Sequence, residues 1–256
     1  MKNFRSISSK REGLKPPELY EYFLDNFWFK AAGLENEIIN EPLRGRHKAD
    51  VVIIGGGFTG LSSAYNIQRR FPDKKVILLE GACCGFGASG RNGGFCVATS
   101  LIDPGLKDPD ARRKNLHVSL HGIEQIKECI DVHGLDCDFK ENGMLDVAMN
   151  DLQVKIMEDE HRILKEWGFD VETLYGKELE TEIKSPRLVA GLKIKQGAIL
   201  NPAKLARGMK KIIESMGVEI RERSVVTRVV PGKDHHVDTE LGEVKAPALV
   251  VATNAY

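Results

Sequence analysis

The chain has 256 residues, and its 37 lysines and arginines are balanced by 37 aspartates and glutamates. Its formal charge of zero excludes the strong basic field by which many proteins bind nucleic acid or anionic membranes. With 42% hydrophobic and 29% charged residues, the composition is that of a soluble globular protein, long enough for one large domain or two small ones.

Cysteine spacing and the N-terminal residues bear on the compartment. The five cysteines form no C-x-x-C pair, which favours a reducing compartment over a secreted, disulfide-linked fold. The N-terminus lacks the apolar core of a signal peptide, and no run reaches the roughly 18 apolar residues of a membrane span. We therefore expect a cytoplasmic protein with no transmembrane segment and no nucleic-acid partner.

Residues 1–48 form an N-terminal extension before the first predicted strand. Aromatic residues are concentrated in its part "YEYFLDNFWFKAAG" (20–33). Such a cluster can pack on the chain's own main domain, or it can anchor a partner or a membrane surface. We expect it to pack on the main domain.

The segment that follows predicts a βαβ unit. "ADVVIIGGGFTG" (49–60) is typical of a buried strand, a glycine turn and the start of a helix, which ends near Pro72. "KKVILLE" (74–80) is typical of a second buried strand. Together these elements span the length of one Rossmann-type βαβ unit.

The turn of this unit carries the pattern G-x-G-x-x-G at Gly55, Gly57 and Gly60. In a dinucleotide-binding fold the first glycine permits the tight turn, the second lets the backbone approach a pyrophosphate, and the third lets the helix pack closely. Glu80 ends the next strand, 20 residues after Gly60, where a carboxylate can accept hydrogen bonds from a ribose hydroxyl. Glu80 is followed directly by Gly81 and Ala82 rather than by an arginine, which argues against the 2′-phosphate of NADP.

The later part of the chain predicts a smaller inserted domain, after which the dinucleotide fold returns. We expect helices over 116–130 and 151–167 and strands over 143–150 and about 188–195, all inside a substrate or cap region 111–196. Asn201 is a predicted N-cap for a helix over 201–217. The remaining predicted strands are 218–222, 225–230, about 235–240 and 248–256. The predicted fold class is α/β, with a discontinuous Rossmann-like domain (49–110 and 197–256) and a smaller inserted α+β domain.

A second glycine cluster, "GFGASGRNGG" (85–94), distinguishes two cofactors. An NAD-binding domain has no use for it, whereas the isoalloxazine ring of FAD must lie against backbone beyond the pyrophosphate. Ser89 can bind a phosphate or ribityl oxygen, and the backbone N–H groups from Gly90 to Gly94 can face the flavin edge. Arg91 and Asn92 can contact the ring or the adjoining phosphates. This cluster favours FAD.

Several segments in chain order resemble one flavoprotein family. They are "VVIIGGGFTGLSSA" (51–64), "LLEGACCGFGASGRNGG" (78–94), "LDCDFKENGMLDVAMND" (135–151), "GAILNPAKLARGM" (197–209) and "VVATNAY" (250–256). The resemblance is to the D-amino-acid, glycine and sarcosine oxidase (DAO) family, and most closely to its γ-glutamylputrescine oxidoreductase-like branch. It implies oxidation of the C–N bond of an amine or amino acid, with hydride transfer to flavin N5 and reoxidation by oxygen.

The resemblance and the glycine motifs together imply a set of FAD contacts and no catalytic side chain. Residues 81–100 contain no histidine, which excludes the covalent flavin linkage that some relatives make in this segment. The implied contacts are Gly55, Gly57, Phe58, Thr59, Gly60, Glu80, Ser89, Gly90, Arg91, Asn92, Gly93, Gly94, Val226, Thr253 and Asn254.

Two alternatives remain open at this point. Family members continue well beyond a strand like 250–256, whereas this chain ends at Tyr256, so we expect a truncated fold. It can be a fragment, a split enzyme completed by a partner chain, or a non-catalytic nucleotide-binding remnant, and we expect it to bind FAD weakly without a C-terminal partner. The second alternative is an NAD-dependent dehydrogenase, which leaves residues 85–94 without a role.

A metal site is the weaker interpretation of the predicted helix over 116–130. His117, His121 and Glu124 fall on one face of that helix, but Glu124 lies nearly two turns from His117 and the sequence offers no further ligand. We expect no metal.

Overall fold

The computed structural model describes residues 26–34, 37, 39–98 and 108–254. They divide into two compact units, the first formed by the described residues up to Arg91 and from Ala206 onward, the second by Asn92–Leu205. In chain order the elements are α1 (Phe27–Ala31), β1 (Gly45–Lys48), β2 (Val51–Ile54), α2 (Phe58–Arg70), β3 (Val76–Leu79), a 3₁₀ turn (Ala88–Gly90), β4 (Phe95–Val97), α3 (Pro109–His133), β5 (Met144–Ala148), α4 (Asp151–Glu166), β6 (Val171–Tyr175), α5 (Gly176–Glu182), β7 (Ala190–Ile194), β8 (Gly197–Ile199), α6 (Pro202–Ser215), β9 (Glu219–Arg221), β10 (Val226–Val230), β11 (His235–Thr239), β12 (Gly242–Ala246) and β13 (Ala248–Val251).

The first unit contains the predicted parallel sheet, with strand order β13-β2-β3-β9. All three pairings are parallel, and Ile54 lies opposite Leu79 on one side and Val251 on the other. Strand β3 is buried along its whole length, as expected for a strand covered on both faces. The predicted βαβ unit is therefore present, and the carboxyl ends of its strands lie at one edge of the sheet.

A second sheet of the first unit has the order β1-β12-β11-β10. Apolar side chains from both sheets form one core between them: Leu43, Val52, Ile54, Ile77, Leu79, Val237, Val244 and Ala246. Strand β1 was predicted as part of the N-terminal extension. Its sequence "GRHK" has no apolar pattern, and it becomes a strand by pairing in parallel with β12.

The aromatic part of the extension is described only in part. The helix Phe27–Ala31 carries a buried side chain at Phe29, which is 3% exposed, and an exposed one at Phe27, which is 71% exposed. The predicted packing on the chain's own domain is thus confirmed for Phe29 and wrong for Phe27. The rings at positions 20, 22 and 23 lie outside the described residues.

The second unit contains the antiparallel sheet β5-β7-β6 and the two-stranded sheet β4-β8. Helices α3 and α4 supply Leu116, Met157 and Leu164 to its core. Helix α3 ends at Gly134, whose φ of +62 is the left-handed C-cap conformation. Strand β6 was not predicted, because "VETLY" lacks a clear period-two pattern.

The boundaries between the units differ from those predicted from the sequence. We expected the inserted domain to cover 111–196, whereas the second unit covers Asn92–Leu205. The reason is the antiparallel pairing of β4 with β8, in which Cys96 lies opposite Ala198. This pairing assigns both strands to the second unit. Among the helices of the described residues, none has the length and apolar character needed to cross a bilayer.

Candidate functional site

The first glycine motif forms a tight turn between β2 and α2. Gly55 has a φ of +110, in the region that favours glycine, and a Cβ on it would overlap the carbonyl oxygen of Ala252. A Cβ on Gly60 would overlap the carbonyl oxygen of Gly55. Gly55 therefore lets the turn pack against the end of β13, and Gly60 lets α2 start close to β2.

The N-terminus of α2 faces the second glycine segment. Gly57 is the N-cap residue, and the N–H of Phe58 donates to the Oγ of Ser89 over 2.9 Å. The N–H groups of Thr59 and Gly60 have no acceptor inside the helix, because the first turn of a helix has none. This end of the helix carries the partial positive charge that favours an anion.

Glu80 lies at the carboxyl end of β3, beside this turn. Its carboxylate accepts hydrogen bonds from the N–H of Gly56 over 2.6 Å and from the N–H of Ala82 over 2.8 Å. Burial is the main cause that raises the pKa of Glu80 above its ordinary value, and the negative charge of Glu222 adds to it, while the two N–H groups oppose it. Each carboxylate oxygen can accept two hydrogen bonds. Glu80 can therefore accept a further hydrogen bond from a ribose hydroxyl.

Two glycines of the second glycine segment, Gly85 and Gly90, pack against other parts of the protein on the side where a side chain would lie. A Cβ on Gly85, which has a φ of +82, would lie 2.7 Å from the Cβ of Ala206. A Cβ on Gly90 would lie 2.9 Å from the Cε2 of Phe29. Packing inside the first unit therefore explains these two glycines without any ligand.

The backbone N–H groups expected to face the flavin edge make local hydrogen bonds. The N–H of Gly90 donates to Gly87 over 3.3 Å, and the N–H of Arg91 donates to Ala88 over 3.2 Å. The 3₁₀ turn over Ala88–Gly90 sets these pairings. The guanidinium of Arg91 lies 5.3 Å from the ring centroid of Phe86.

The last three residues of the second glycine segment, 92–94, belong to the second unit. The side-chain oxygen of Asn92 accepts the N–H of Gly94 over 2.9 Å, and Gly94 has a φ of +77. A Cβ on Gly93 would lie 3.0 Å from the ring of Phe95. Phe95 is 72% exposed, so its ring covers Gly93 and leaves a large apolar surface open.

Three further predicted residues come from late in the chain. Thr253 follows β13, and its backbone N lies 3.4 Å from a Cβ placed on Gly55. Asn254, which follows it, has a left-handed φ of 56. Val226 starts β10 and packs against the core between the two sheets. The structure thus brings Gly55, Glu80, Ser89 and Thr253 to one edge of the parallel sheet, and it places Val226 in the second sheet of the same unit.

A buried ion network that was not predicted from the sequence lies next to this edge. Glu222, fully buried, accepts hydrogen bonds from Nη1 of Arg207 over 2.9 Å and from Nζ of Lys210 over 2.7 Å. It also accepts the N–H groups of Cys84 and Asn40, each over 2.7 Å. Burial opposes the charge of Glu222, but the cations and the N–H groups together lower its pKa below the ordinary value.

A sequence signal for this network existed in the spacing of α6. Arg207 and Lys210 recur at i+4 and i+7 from Ala203, which is fully buried, so helical geometry predicts that both cations share a buried face. Burial also raises the pKa of the Cys83 thiol to about 12. This thiol and the buried Cys84 therefore stay protonated, which excludes a reactive thiolate.

The histidines of α3 take part in ordinary side-chain contacts. His121 Nδ1 lies 3.6 Å from a carboxylate oxygen of Glu124, and the ring of His117 lies 6.4 Å from that of Phe169. In the part of the chain that the structure describes, no group of three or more metal-ligating side chains comes together.

Comparison with known proteins gives a consistent result. The family described as "DAO: FAD dependent oxidoreductase" matches residues 50–256. The chain is 34% identical over 212 residues to γ-glutamylputrescine oxidoreductase of Escherichia coli K12, with 81% of this chain and 49% of that protein covered. It is 33% identical over 244 residues to the probable oxidoreductase OrdL of Haemophilus influenzae, with 93% of this chain and 56% of that protein covered. The chain thus spans about half the length of these curated relatives.

Solved structures share the fold at lower identity. Glycine oxidase from Geobacillus kaustophilus superimposes with a TM-score of 0.70 at 21% identity, covering 82% of this chain and 56% of that one. The L-amino acid deaminase from Proteus myxofaciens, solved in complex with anthranilate, gives a TM-score of 0.72 at 18% identity, covering 85% of this chain and 48% of that one. At these identities the likeness concerns the fold alone.

Proposed function

The chain belongs to the DAO family of FAD-dependent oxidoreductases, and from this premise we propose that it oxidises the C–N bond of an amine, with γ-glutamylputrescine and similar polyamine derivatives as the substrate class. Membership in this family assigns FAD as the cofactor. The alternative of an NAD-dependent dehydrogenase is therefore wrong, because the family that matches residues 50–256 is described as FAD-dependent.

The residues at the edge of the parallel sheet fit the adenylate half of FAD. We assign the pyrophosphate to the N-terminus of α2, where Gly57 leaves room for backbone approach and Thr59 and Gly60 offer N–H donors. We assign the ribose hydroxyls to the carboxylate of Glu80. A side chain at Gly57 would meet Ser89 Oγ at 2.9 Å, so a side chain larger than hydrogen would close this cradle.

The remaining predicted contacts extend this assignment. Ser89 is assigned to a phosphate or ribityl oxygen, Arg91 and Asn92 to the flavin ring or the adjoining phosphates, and Gly90, Gly93 and Gly94 to the flavin edge. Val226 is assigned to the adenine and Thr253 and Asn254 to the pyrophosphate side of the sheet. The functions of the two units as FAD-binding and substrate domains are part of the same proposal.

Bound FAD would supply a two-electron acceptor for the hydride of the substrate carbon. The chain's own residues bind and orient the cofactor. The observation that carries the proposal is the convergence of the glycine turn, Glu80 and Ser89 at one sheet edge, in a chain 34% identical to a γ-glutamylputrescine oxidoreductase. That relative supports the choice of an amine over an amino acid.

Flavin titration and anaerobic reduction test the proposal. The purified protein is titrated with FAD, and the visible spectrum is followed as γ-glutamylputrescine, putrescine or glycine is added without oxygen. We expect the chain alone to bind FAD weakly, and we expect γ-glutamylputrescine to bleach the bound flavin at the highest rate. Absence of FAD binding contradicts the cofactor site, whereas FAD binding without bleaching by any amine contradicts the substrate class and favours a binding-only chain that needs a partner chain.

A variant of Glu80 tests the site separately from the substrate. Glu80→Gln removes the charge that receives the ribose hydroxyls, and hydrogen bonds to charged groups contribute about 1.5–3 kcal/mol. We expect the Kd for FAD to rise roughly 10- to 100-fold. Glu240→Gln, at an exposed position of the same unit, is the matched control and should leave the Kd unchanged. Equal affinities in the two variants would remove Glu80 from the site.

A further inference from the structure

Helix α1 lies against the second glycine segment within the first unit. Asn26 begins this helix by accepting the N–H of Trp28 over 2.7 Å, and its Nδ2 lies 3.4 Å from the carbonyl oxygen of Gly90. Phe29 is 3% exposed, whereas Phe27 of the same helix is 71% exposed. One side of this short helix is therefore committed to the first unit.

The ring of Phe29 and the carbonyl oxygen of Gly85 together occupy the space that a side chain at Gly90 would need, and the ring comes within ordinary contact distance of a Cβ on Gly85. Its Cε2 lies 2.9 Å from a Cβ placed on Gly90, and its Cζ lies 3.9 Å from a Cβ placed on Gly85. Between these two glycines the chain carries Ser89, whose hydroxyl accepts the N–H of Phe58 at the N-terminus of α2. Phe29 thus supports the backbone on either side of the residue that contacts the helix end.

The chain that follows α1 is fastened to the same unit at further points. The N–H of Asn40 donates to Glu222 over 2.7 Å, and the N–H of Leu43 donates to the Oγ of Ser224 over 2.9 Å. Glu222 also accepts the N–H of Cys84, next to Gly85, over 2.7 Å. Glu222 therefore holds both the segment before β1, through Asn40, and the loop after β3, through Cys84.

We propose that Phe29 is a positioning residue of the FAD site: it holds residues 85–90 in the conformation that places Ser89 at the N-terminus of α2. The proposal rests on the proposed FAD site. Removal of the ring leaves a gap behind two glycines, which have the greatest backbone freedom of any residue. The 3₁₀ turn then samples other conformations, and the cofactor must order it on binding, which weakens affinity.

Two variants of the same helix test the proposal. Phe29→Ala removes the buried ring, and Phe27→Ala removes an exposed ring of the same type two residues earlier in the same helix. We would measure amide hydrogen–deuterium exchange in peptides covering 85–91, and the Kd for FAD by quenching of flavin fluorescence. For Phe29→Ala we expect faster exchange in these peptides and a Kd raised about ten-fold, the lower end for residues that orient a site. For Phe27→Ala we expect neither change.

The outcomes separate positioning from general stability and from the proposed function. A purely structural role of Phe29 would lower the free energy of unfolding and leave the Kd of the folded protein unchanged, which would overturn the proposal, as would wild-type exchange in 85–91. Should Phe29→Ala fail to fold, Phe29→Leu is measured in its place. We then expect a smaller increase in the exchange of 85–91 and in the Kd for FAD. Failure of the wild-type protein to bind FAD would refute the cofactor site, while the exchange measurement would still report whether Phe29 orders the segment.

Discussion

Replacement of Glu222 by glutamine tests the buried ion network that Glu222 forms with Arg207 and Lys210. One carboxylate oxygen accepts the N–H of Cys84 and Nη1 of Arg207, and the other accepts the N–H of Asn40 and Nζ of Lys210. A glutamine amide has one accepting oxygen and one NH₂ group. In either orientation its NH₂ group therefore faces one backbone N–H and one cation. All three groups are hydrogen-bond donors, so two hydrogen bonds of the network are lost.

The expected loss of stability is large because every member of this network is buried. Glu222 is fully buried, and the side chains of Arg207 and Lys210 are 3% and 4% exposed. Breaking a buried ion pair by removing one partner costs about 3–5 kcal/mol. For a protein of this size, 1 kcal/mol shifts Tm by about 2–4 °C, so we expect Tm to fall by roughly 6–20 °C.

Urea unfolding followed by circular dichroism measures this loss. Glu41→Gln is the matched control, because the Glu41 side chain is 76% exposed and lies 3.3 Å from Arg223; an exposed pair of this kind contributes less than about 1 kcal/mol. The reasoning about the network would be refuted if Glu222→Gln lowered the free energy of unfolding by less than about 1 kcal/mol, as little as the control.

The pH dependence of the same variant gives a second check. Because the pKa of Glu222 is lowered in the folded protein, its charge stabilises the fold fully above the ordinary carboxyl range, and this contribution is lost as pH falls through the folded pKa. The difference in unfolding free energy between wild type and Glu222→Gln should therefore be constant near neutrality and shrink in acid. A difference that grows in acid would contradict the assigned charge state.

Three other substitutions test local features of the first glycine turn and of α3. Ser89→Ala removes the acceptor of the Phe58 N–H, and we expect a loss of about 1 kcal/mol in urea unfolding, as for a helix cap, together with weaker FAD binding; unchanged values of both would contradict the contact. Gly60→Ala places a methyl group on the carbonyl of Gly55 and should cost about 1–3 kcal/mol. Gly122→Ala meets open space inside a helix and should instead stabilise by about 0.5–1 kcal/mol. Equal signs for the two glycine variants would refute the packing argument.

Much of the first unit could be predicted because its signals are local. The run of apolar residues in β2, the glycine spacing after it and the apolar run of β3 each report one element, and the structure contains all three. The predicted helix over 201–217 is present as Pro202–Ser215, and Asn201 caps it by accepting the N–H groups of Ala203 and Lys204. Caps and periodic patterns depend on residues within a few positions of one another.

The neighbours of the second glycine segment could not be predicted from local sequence. Its sequence indicated a close backbone approach, and the structure contains one, but the group that approaches Gly85 is Ala206, and those that approach Gly90 are the carbonyl oxygen of Gly85 and the ring of Phe29. A glycine pattern reports that space is restricted and does not identify the neighbour. The assignment of Gly90 to the flavin edge therefore stays a proposal about its backbone N–H, while the side of Gly90 on which a Cβ would lie packs on protein.

The sequence by itself determined the first βαβ unit, the helix that follows Asn201, the dinucleotide-type turn with Glu80 after it, and the likeness to a flavoprotein family. Only the tertiary structure decided that β1 pairs with β12, that Phe29 supports the second glycine segment, and that Glu222 joins Arg207 and Lys210 in a buried network. The physical reason is separation along the chain. Local patterns fix the conformation of a segment, whereas contacts such as that between Asn40 and Glu222, 182 residues apart, form only when folding brings distant segments together.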